Sequence, residues 1–395
     1  MLKNLILLLT LFPATLFAQS TISGRVVSMA NKNGVAAASV FLSNTSIGTN
    51  TLPDGTYTLK NVRNGQYDLV VTCVGYEPHH YTVLINNTDK AVDVIELMPK
   101  VTELKEVTIK YDPKDLNSDK ANNALRKIQL ARFTAEFLGR TANASECKLL
   151  NPDILDLYHD PKDNSLRANA PDFLLIQNDA LGYKIKYLLT DFYFTPKTGD
   201  VYYVGSFIFE PLTGDEASQR KWMRNRVAAY KGSDMHFLRA CIIDMVTEEG
   251  FTVYSLTRKN NDARQPDSVI KAKATAFKMA GFDRGVRDSL KYWAEQANMP
   301  KYTEIRSNKP VPTRDYIRLT QTKGLFAIGY PGKLQIRYKT RALNALISFY
   351  EPFSFFDNNG VIVNPRSNTM EGAWAFQRVA DLLPVDYELP ISLND

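Results

Sequence analysis

Six short runs of strand-forming residues, set apart by turn clusters, fill the stretch from Thr21 to Leu97, and this spacing limits the possible folds more than any other feature of the chain. The runs are Thr21–Val27, Ala38–Leu42, Gly55–Leu59, Gln66–Val74, Tyr81–Ile85 and Ala91–Leu97. Between them stand Asn31 Lys32 Asn33 Gly34, Pro53 Asp54 Gly55, Asn64 Gly65 and Asn86 Asn87, residues that accept left-handed or preset turn dihedrals. Strands this short at this spacing predict an all-β sandwich. Tyr67, Leu69 and Val71 share one face of their strand while Val70 takes the other, so both faces of that sheet are expected to be partly covered. Such a sheet packs against a second one.

Ahead of this stretch lie Lys3, an apolar run from Leu5 to Phe17, and the small Ala18 before Gln19, the layout of a cleaved signal peptide over residues 1–18. Its apolar core of about a dozen residues falls short of the roughly 20 needed to cross a bilayer, and no later run reaches that length. The expectation is an exported protein, periplasmic or outer-membrane-associated, with no transmembrane segment in the mature chain. Of 395 residues, 44% are hydrophobic and 23% charged, which is globular rather than disordered composition. The length predicts two or three domains. A formal charge of +6 admits anionic envelope polymers without demanding them, and nucleic acid is not expected as a partner outside the cytoplasm. Cys73, Cys147 and Cys241 are too few for a disulfide framework and can form at most one bridge. Cys73, at the end of an apolar run, is expected to be a small buried side chain.

The front residues also carry a resemblance. Ile22 Ser23 Gly24 Arg25 Val26 Val27, then Gly34 Val35 Ala36 Ala37 Ala38 Ser39 Val40, Gly48 Thr49 Asn50 Thr51, Asp54 Gly55 Thr56 Tyr57 Thr58 Leu59, Gly65 Gln66 Tyr67 Asp68 Leu69 Val70 Val71 and Gly75 Tyr76 resemble the carboxypeptidase regulatory-like domain. This transthyretin-like β-sandwich stands at the front of many exported bacterial proteins, TonB-dependent outer-membrane transporters among them. The proline that usually opens the second of these segments is absent here. The resemblance is to the accessory module of carboxypeptidases, not to their catalytic unit. It implies binding, spacing or folding assistance and a carbohydrate-binding-like fold, and it supplies no catalytic residue. Tyr57, Tyr67 and Tyr76 have the chemistry to stack on a sugar, but at these spacings they are expected in the sandwich core.

Residues 19–99 are therefore read as the sandwich, 100–120 as a linker and 121–395 as a larger α+β domain. The segment Leu104 to Ile109 is similar to the one that precedes the plug in the transporters, but the remaining residues lack the repeated amphipathic strands of a barrel. Asn122 to Leu138 reads as an amphipathic helix with Leu125, Ile128, Ala131 or Arg132, Ala135 and Leu138 on one face, capped by Ser118 or Asp119 and stopped by Gly139. Tyr183–Phe194 and Val201–Phe209 around Pro196 Lys197 Thr198 Gly199 Asp200 predict a hairpin. Helices are expected over Asp215–Tyr230 and Asp234–Glu248, split at Gly232 Ser233 with Ser233 or Asp234 as the cap, and a strand over Lys333–Arg341 with Leu334, Ile336 and Tyr338 on one side. Phe137 to Thr141, Leu181 Gly182 Tyr183, Trp222 to Arg226 and Tyr230 to Ser233 resemble exported proteins that carry the regulatory-like domain in front; that likeness brings no activity.

No reaction announces itself. A zinc peptidase needs His-x-x-Glu or His-Glu-x-x-His, and the residues three beyond His79, His80, His159 and His236 are Thr82, Val83, Lys162 and Arg239. Gly-x-Ser-x-Gly and the phosphate-loop spacing are also absent, so no cofactor or metal is expected. Carboxylate pairs such as Asp153 with Asp156, or Glu248 with Glu249, can lie anywhere in a sequence. The most distinctive charged feature is the helix bearing Arg220, Lys221, Arg224, Arg226 and Lys231 around Trp222 and Met223. Trp222, Arg224, Arg226 and Lys231 form the candidate binding surface, for anionic headgroups or acidic polysaccharide. The competing expectation is that Trp222 and Arg226 fasten the helix to its sheet while the arginines pair with nearby acids. The leading reading is a non-catalytic cell-envelope protein that binds a protein partner or glycan. The alternatives are a hydrolase with a carboxylate site in the α+β domain and an accessory to TonB-dependent uptake.

Overall fold

The front residues fold as two facing β-sheets, and the computed structural model describes residues 20–100, 115–279, 284–339 and 343–390. The signal peptide expected at 1–18 and the Leu104 to Ile109 connector lie outside the described residues. The front strands are β1 (Ser20–Ser28), β2 (Ser39–Leu42), β3 (Gly48–Asn50), β4 (Thr56–Val62), β5 (Gly65–Thr72), β6 (His79–Ile85), β7 (Lys90–Ala91) and β8 (Ile95–Leu97). One sheet runs β4-β1-β7 with β8 also on β1; the other runs β3-β2-β5-β6. Ile22, Leu59, Val40 and Leu69 are fully buried, and Tyr57 and Tyr67 are core residues, as expected for side chains alternating into a sandwich. Tyr76 is half-buried. Cys73 lies just past β5 and is only half-buried, because the strand ends at Thr72, one residue before it.

Beyond the sandwich come α1 (Asp115–Leu138), β9 (Cys147–Leu149), β10 (Asp156–Asp160), β11 (Ser165–Asn169), β12 (Leu174–Asn178), β13 (Tyr183–Thr195), β14 (Asp200–Pro211) and α2 (Glu216–Tyr230). The expected hairpin is β13–β14, paired over its whole length with one register shift between Leu189 and Asp191. These strands form a six-stranded sheet, β10-β11-β13-β12-β9 with β14 on β13. Helix α1 starts inside the stretch expected as linker, so Ser118 and Asp119 are helical and not caps. Its buried face also differs from the expected one: Leu125 and Ile128 are 47% and 63% exposed, whereas Phe133 and Phe137 are fully buried. Phe133 meets the Phe192 ring at 4.8 Å and Phe137 meets Tyr187 at 5.1 Å. Two rings one helical turn apart bury more area than the Leu-Ile-Ala stripe, and they set the rotation of the helix.

Val70, the residue on the wrong face, is covered as expected. It clusters with Phe41, Ile208 and Phe173, and the same seam is hydrogen-bonded, Asn44 N–H to Phe207 O at 2.8 Å and Phe209 N–H to Thr45 O at 2.9 Å. The sandwich and the six-stranded sheet thus belong to one compact unit, made of residues 1–231, 357–359 and 377–395. The boundary expected at 99/100 lies inside it.

The second unit comprises residues 232–356 and 360–376. Its elements are α3 (Asp234–Ile242), β15 (Phe251–Asn260), α4 (Asp267–Met279), α5 (Arg284–Asn298), β16 (Tyr302–Arg306), α6 (Thr313–Tyr316), β17 (Ile317–Leu319), β18 (Leu325–Ile328), β19 (Lys333–Tyr338), β20 (Leu343–Phe349), β21 (Ser354–Asp357), β22 (Asn368–Gly372) and α7 (Ala373–Phe376). A five-stranded sheet, β16-β15-β19-β20-β22, and a three-stranded one, β17-β18-β21, share a core of Phe237, Phe251, Leu334, Ile336, Ile347, Phe356 and Trp374. Ser233 caps α3, accepting the His236 N–H; α3 ends at Ile242 instead of Glu248. The expected strand at 333 is β19, with Leu334, Ile336 and Tyr338 inward.

One exposed pair in the sandwich makes stability depend on pH. His80 Nδ1 lies 2.8 Å from Asp68 Oδ2 across β5 and β6. The hydrogen bond to Asp68 raises the imidazole pKa above its ordinary 6.5 despite partial burial. A raised folded-state value means that the pair's contribution is fully present below about pH 6.5 and fades as pH rises through that higher value. Thermal midpoints of the wild type and Asp68→Asn should therefore differ most at the acid end of a pH 6 to pH 9 series (both limits about). A gap that stays constant across the series would show that the imidazolium contributes nothing.

Candidate binding site

Helix α2 begins where Asp215 accepts the Ser218 N–H at 2.8 Å, an N-cap that satisfies one of the helix's unpaired first-turn N–H groups. The turn between β12 and β13, residues 179–182, lies under the helix and exposes four successive backbone carbonyls. Trp222 Nε1–H donates to Asp179 O at 3.0 Å and Asn225 Nδ2 to Ala180 O at 2.8 Å. Arg226 completes the row, with Nε donating to Leu181 O at 2.7 Å and Nη2 to Gly182 O at 3.1 Å. Its guanidinium also sits 4.0 Å from the Tyr183 ring centroid, a cation–π contact.

Two glycines make room for the indole. Gly182 has φ of +70°, and a Cβ there would come within 2.2 Å of Trp222; at Gly214 it would come within 2.5 Å. Any side chain at either position displaces the ring. The indole is thereby clamped, 9% exposed, and Arg226 is consumed by carbonyls, not by the acids anticipated from the sequence. Lys221 pairs with Glu146, and Arg220 with Glu216 at 3.2 Å. Arg224 is exposed and has no ion-pair partner among the described residues. Lys231 is the C-cap residue, half-buried, its N–H bonded to Val227 O. Of the four expected surface residues, Trp222 and Arg226 thus meet on the clamp, while Arg224 and Lys231 lie apart from it.

The outer side of the clamp forms one wall of a pocket of about 530 Å³. Leu212, Trp222, Met223 and Tyr387 supply an apolar floor, with Pro211 and Pro390; Glu216, Gln219, Arg220 and Arg226 are its polar lining. Burial, reinforced by nearby Tyr183, pushes the Tyr387 phenol up to about 12, so it remains protonated at neutral pH. Tyr387 and Pro390 were not among the expected residues. They come from a segment without helical or strand period, and only the Pro384 to Pro390 spacing marks it as an extended apolar stretch.

A second cleft, of about 500 Å³, lies along β10 and β11 and is lined by Arg126, Asp156, Tyr158, Arg167, Asn169 and Asp191. Its two carboxylates share the lining with two guanidinium groups, and Arg126 is also tied to the carbonyls of Asp153 and Leu155. Asp153 is exposed outside this cleft, and Glu249 of the other anticipated pair instead bonds His236 at 3.0 Å. His236 is a core side chain, 4% exposed, whose Nδ1 accepts the Gly232 N–H at 3.1 Å; the Nε2–H therefore faces Glu249. Among the described residues, no three His, Cys, Asp or Glu side chains are grouped to hold a metal ion. Burial raises the pKa of all three free thiols, Cys147 to about 12, which leaves none as a ready thiolate nucleophile.

Residues 22–109 match the CarboxypepD_reg-like domain family. Solved structures that match part of the chain include a type II cohesin–X-dockerin complex from Acetivibrio cellulolyticus, at 20% identity over 20% of this chain and 56% of that one, TM-score 0.18. The group B streptococcus pilus 2b backbone protein matches at 16% identity over 21% of this chain and 42% of its own, TM-score 0.19. A DUF3823 family protein from Bacteroides ovatus matches at 11% identity over 49% of this chain and all of its own, TM-score 0.18. The chain thus spans little more than half of the cohesin-complex chain and less than half of the pilus protein. A search of curated proteins gave no match.

Proposed function

We propose that the chain is an exported, non-catalytic cell-envelope protein that binds a protein partner in the pocket beside α2. The observation that supports this reading most is the pocket's construction. An apolar floor is held rigid by the Trp222 clamp beside a polar lining of Glu216, Gln219, Arg220 and Arg226, and the pocket holds no pairing of nucleophile and base. Rigid apolar floors with a polar lining suit an apolar anchor from a protein partner. A sugar needs an open aromatic face, and the Trp222 indole is 9% exposed, which favours a peptide segment over a glycan. Export rests on the leader at 1–18. No helix among the described residues is long and apolar enough to cross a membrane.

The test uses mature protein immobilised in envelope extract, as wild type and as Met223→Glu and Arg220→Glu. Met223 is 39% exposed, so a charge there leaves the fold intact while placing a carboxylate on the pocket floor. The same identified protein should be retained by wild type and lost by at least about tenfold from Met223→Glu, since one buried charge at an interface costs more than 1.4 kcal/mol. Equal retention by all three removes this pocket from the reading.

A carboxylate hydrolase is kept as the second reading because Asp156 and Asp191 line one cleft. Turnover of a peptide or glycan by the wild type that disappears in Asp156→Asn or Asp191→Asn would establish it and overturn the non-catalytic proposal. A role beside TonB-dependent uptake rests on the family resemblance; co-purification with an outer-membrane transporter would support it.

A further inference from the structure

Besides the cations of α2, the chain carries a second concentration of positive charge. Residues 257–306 contain eleven Lys and Arg against six Asp and Glu, a net +5 out of +6 for the whole chain. This stretch is an arm of the second unit. Strand β15 is buried at Phe251, Val253 and Leu256 but exposed from Thr257 to Asn260, and β16 is exposed throughout. Helices α4 and α5 join the two strands, and among the arm's described residues only Ile270 and Gln296 are buried.

Three of the arm's six acids are consumed at its base, while Asp288 and Glu295 lie on α5 with Arg287 and Lys291. Asp267 pairs with Arg264 and Lys301, Asp262 with Lys259, and Glu304 with Arg258. Further out, Lys271, Lys273, Arg287 and Lys291 form no ion pair with any described residue. Large apolar side chains stand among them: Met279 is 83% exposed, Tyr292 46% and Val269 36%. On α4, by the 100° step of the helix, Met279 falls on the side opposite Ile270, Ala274 and Phe277, with Val269, Lys271 and Lys273 between the two sides.

We propose that this arm docks on the surface of an anionic phospholipid bilayer. Lysines that flank exposed apolar and aromatic side chains on a helix suit the headgroup boundary, where the charges meet phosphates and the apolar groups enter the acyl edge. An acidic polysaccharide would use the lysines and leave Met279, Val269 and Tyr292 in water. The docking is independent of the α2 pocket, which belongs to the other unit.

Co-sedimentation of the purified mature protein with vesicles tests it. The protein should bind vesicles of phosphatidylcholine mixed with phosphatidylglycerol at low salt, and bind pure phosphatidylcholine vesicles far less. Lys271→Gln, Lys273→Gln and Lys291→Gln combined should weaken binding on the order of a hundredfold, with an unchanged melting curve because all three side chains are exposed. Trp293, half-buried in the arm, reports position, since the other two tryptophans, Trp222 and Trp374, are buried. Brominated lipids should quench its emission, and Trp293→Phe should abolish that quenching. Equal binding to both vesicle types, undiminished binding of the triple variant, quenching that survives Trp293→Phe, or retention on an acidic polysaccharide without vesicle binding would each overturn the proposal.

Discussion

Arg378→Ala should lower the stability of the first unit by about 3–5 kcal/mol, the usual cost of stranding one partner of a buried ion pair. Arg378 Nη1 donates to Glu136 Oε2 at 2.7 Å and also to the Glu136 carbonyl, and the two side chains are 13% and 6% exposed. Burial alone would raise the Glu136 pKa; the hydrogen bonds from Arg378 and Arg140 outweigh it and hold the carboxyl below its ordinary value. Arg140 is 61% exposed and cannot compensate by itself. Urea denaturation followed by far-ultraviolet circular dichroism measures the loss. A depressed carboxyl contributes stability above its unfolded value of about 4.5, and that contribution is lost as pH falls through the folded value. The gap between wild type and variant should therefore close in acid. Glu136→Met with Arg378→Met should recover most of the loss, because apolar replacement of both partners removes the stranded charge. A single variant within about 0.5 kcal/mol of wild type would place the pair among ordinary surface contacts.

The effect should be large because of where Arg378 lies in the chain. The segment from 377 onward returns to the first unit and is stitched at several points: Asp381 accepts from Thr141 and Asn143, each at 2.8 Å, and Asn178 donates to Ala380 O at 2.9 Å. Further on, Val385 N–H donates to Asn44 O at 2.8 Å and Asp386 accepts the Ser46 N–H at 2.9 Å. One strap thus touches both α1 and the sandwich.

These ties also mark what could be read from sequence. The sandwich strands, the β13–β14 hairpin and β19 were legible because alternation and turn chemistry are local, even where, as at Val70 in β5, both faces are covered. Strand β3 (Gly48–Asn50) was missed, being three residues without an apolar pattern. The rotation of α1 was misjudged because its partner surface, Phe192 and Tyr187, lies some 50 residues downstream and selects Phe133 and Phe137 over Leu125 and Ile128. On α2 the sequence left two readings open, a binding surface or Trp222 and Arg226 fastening the helix, because spacing alone cannot show that the carbonyls of residues 179–182 take Arg226. The Pro384 to Pro390 wall of the pocket carried no period at all.

Trp222→Ala separates clamp from contact. The ring fills the space left by Gly182 and Gly214 and holds the Asp179 carbonyl, so its loss should cost about 3–5 kcal/mol, the range for buried aromatic truncation. Met223, its neighbour on the pocket floor, should change stability by no more than about 0.5 kcal/mol when cut to alanine. Partner retention should move the other way round in one respect: Met223→Ala should weaken capture in a protein that melts like wild type. Trp222→Ala should weaken capture only together with stability. A conservative Trp222→Phe keeps most of the buried area while losing the Nε1–H, and should recover a large part of both. If Trp222→Ala instead melted like the wild type and lost the partner, the indole would be a contact residue and the clamp at Asp179 to Gly182 dispensable. The distinction matters for the pocket, because a floor can discriminate between ligands only if the side chain beneath it is fixed before the ligand arrives.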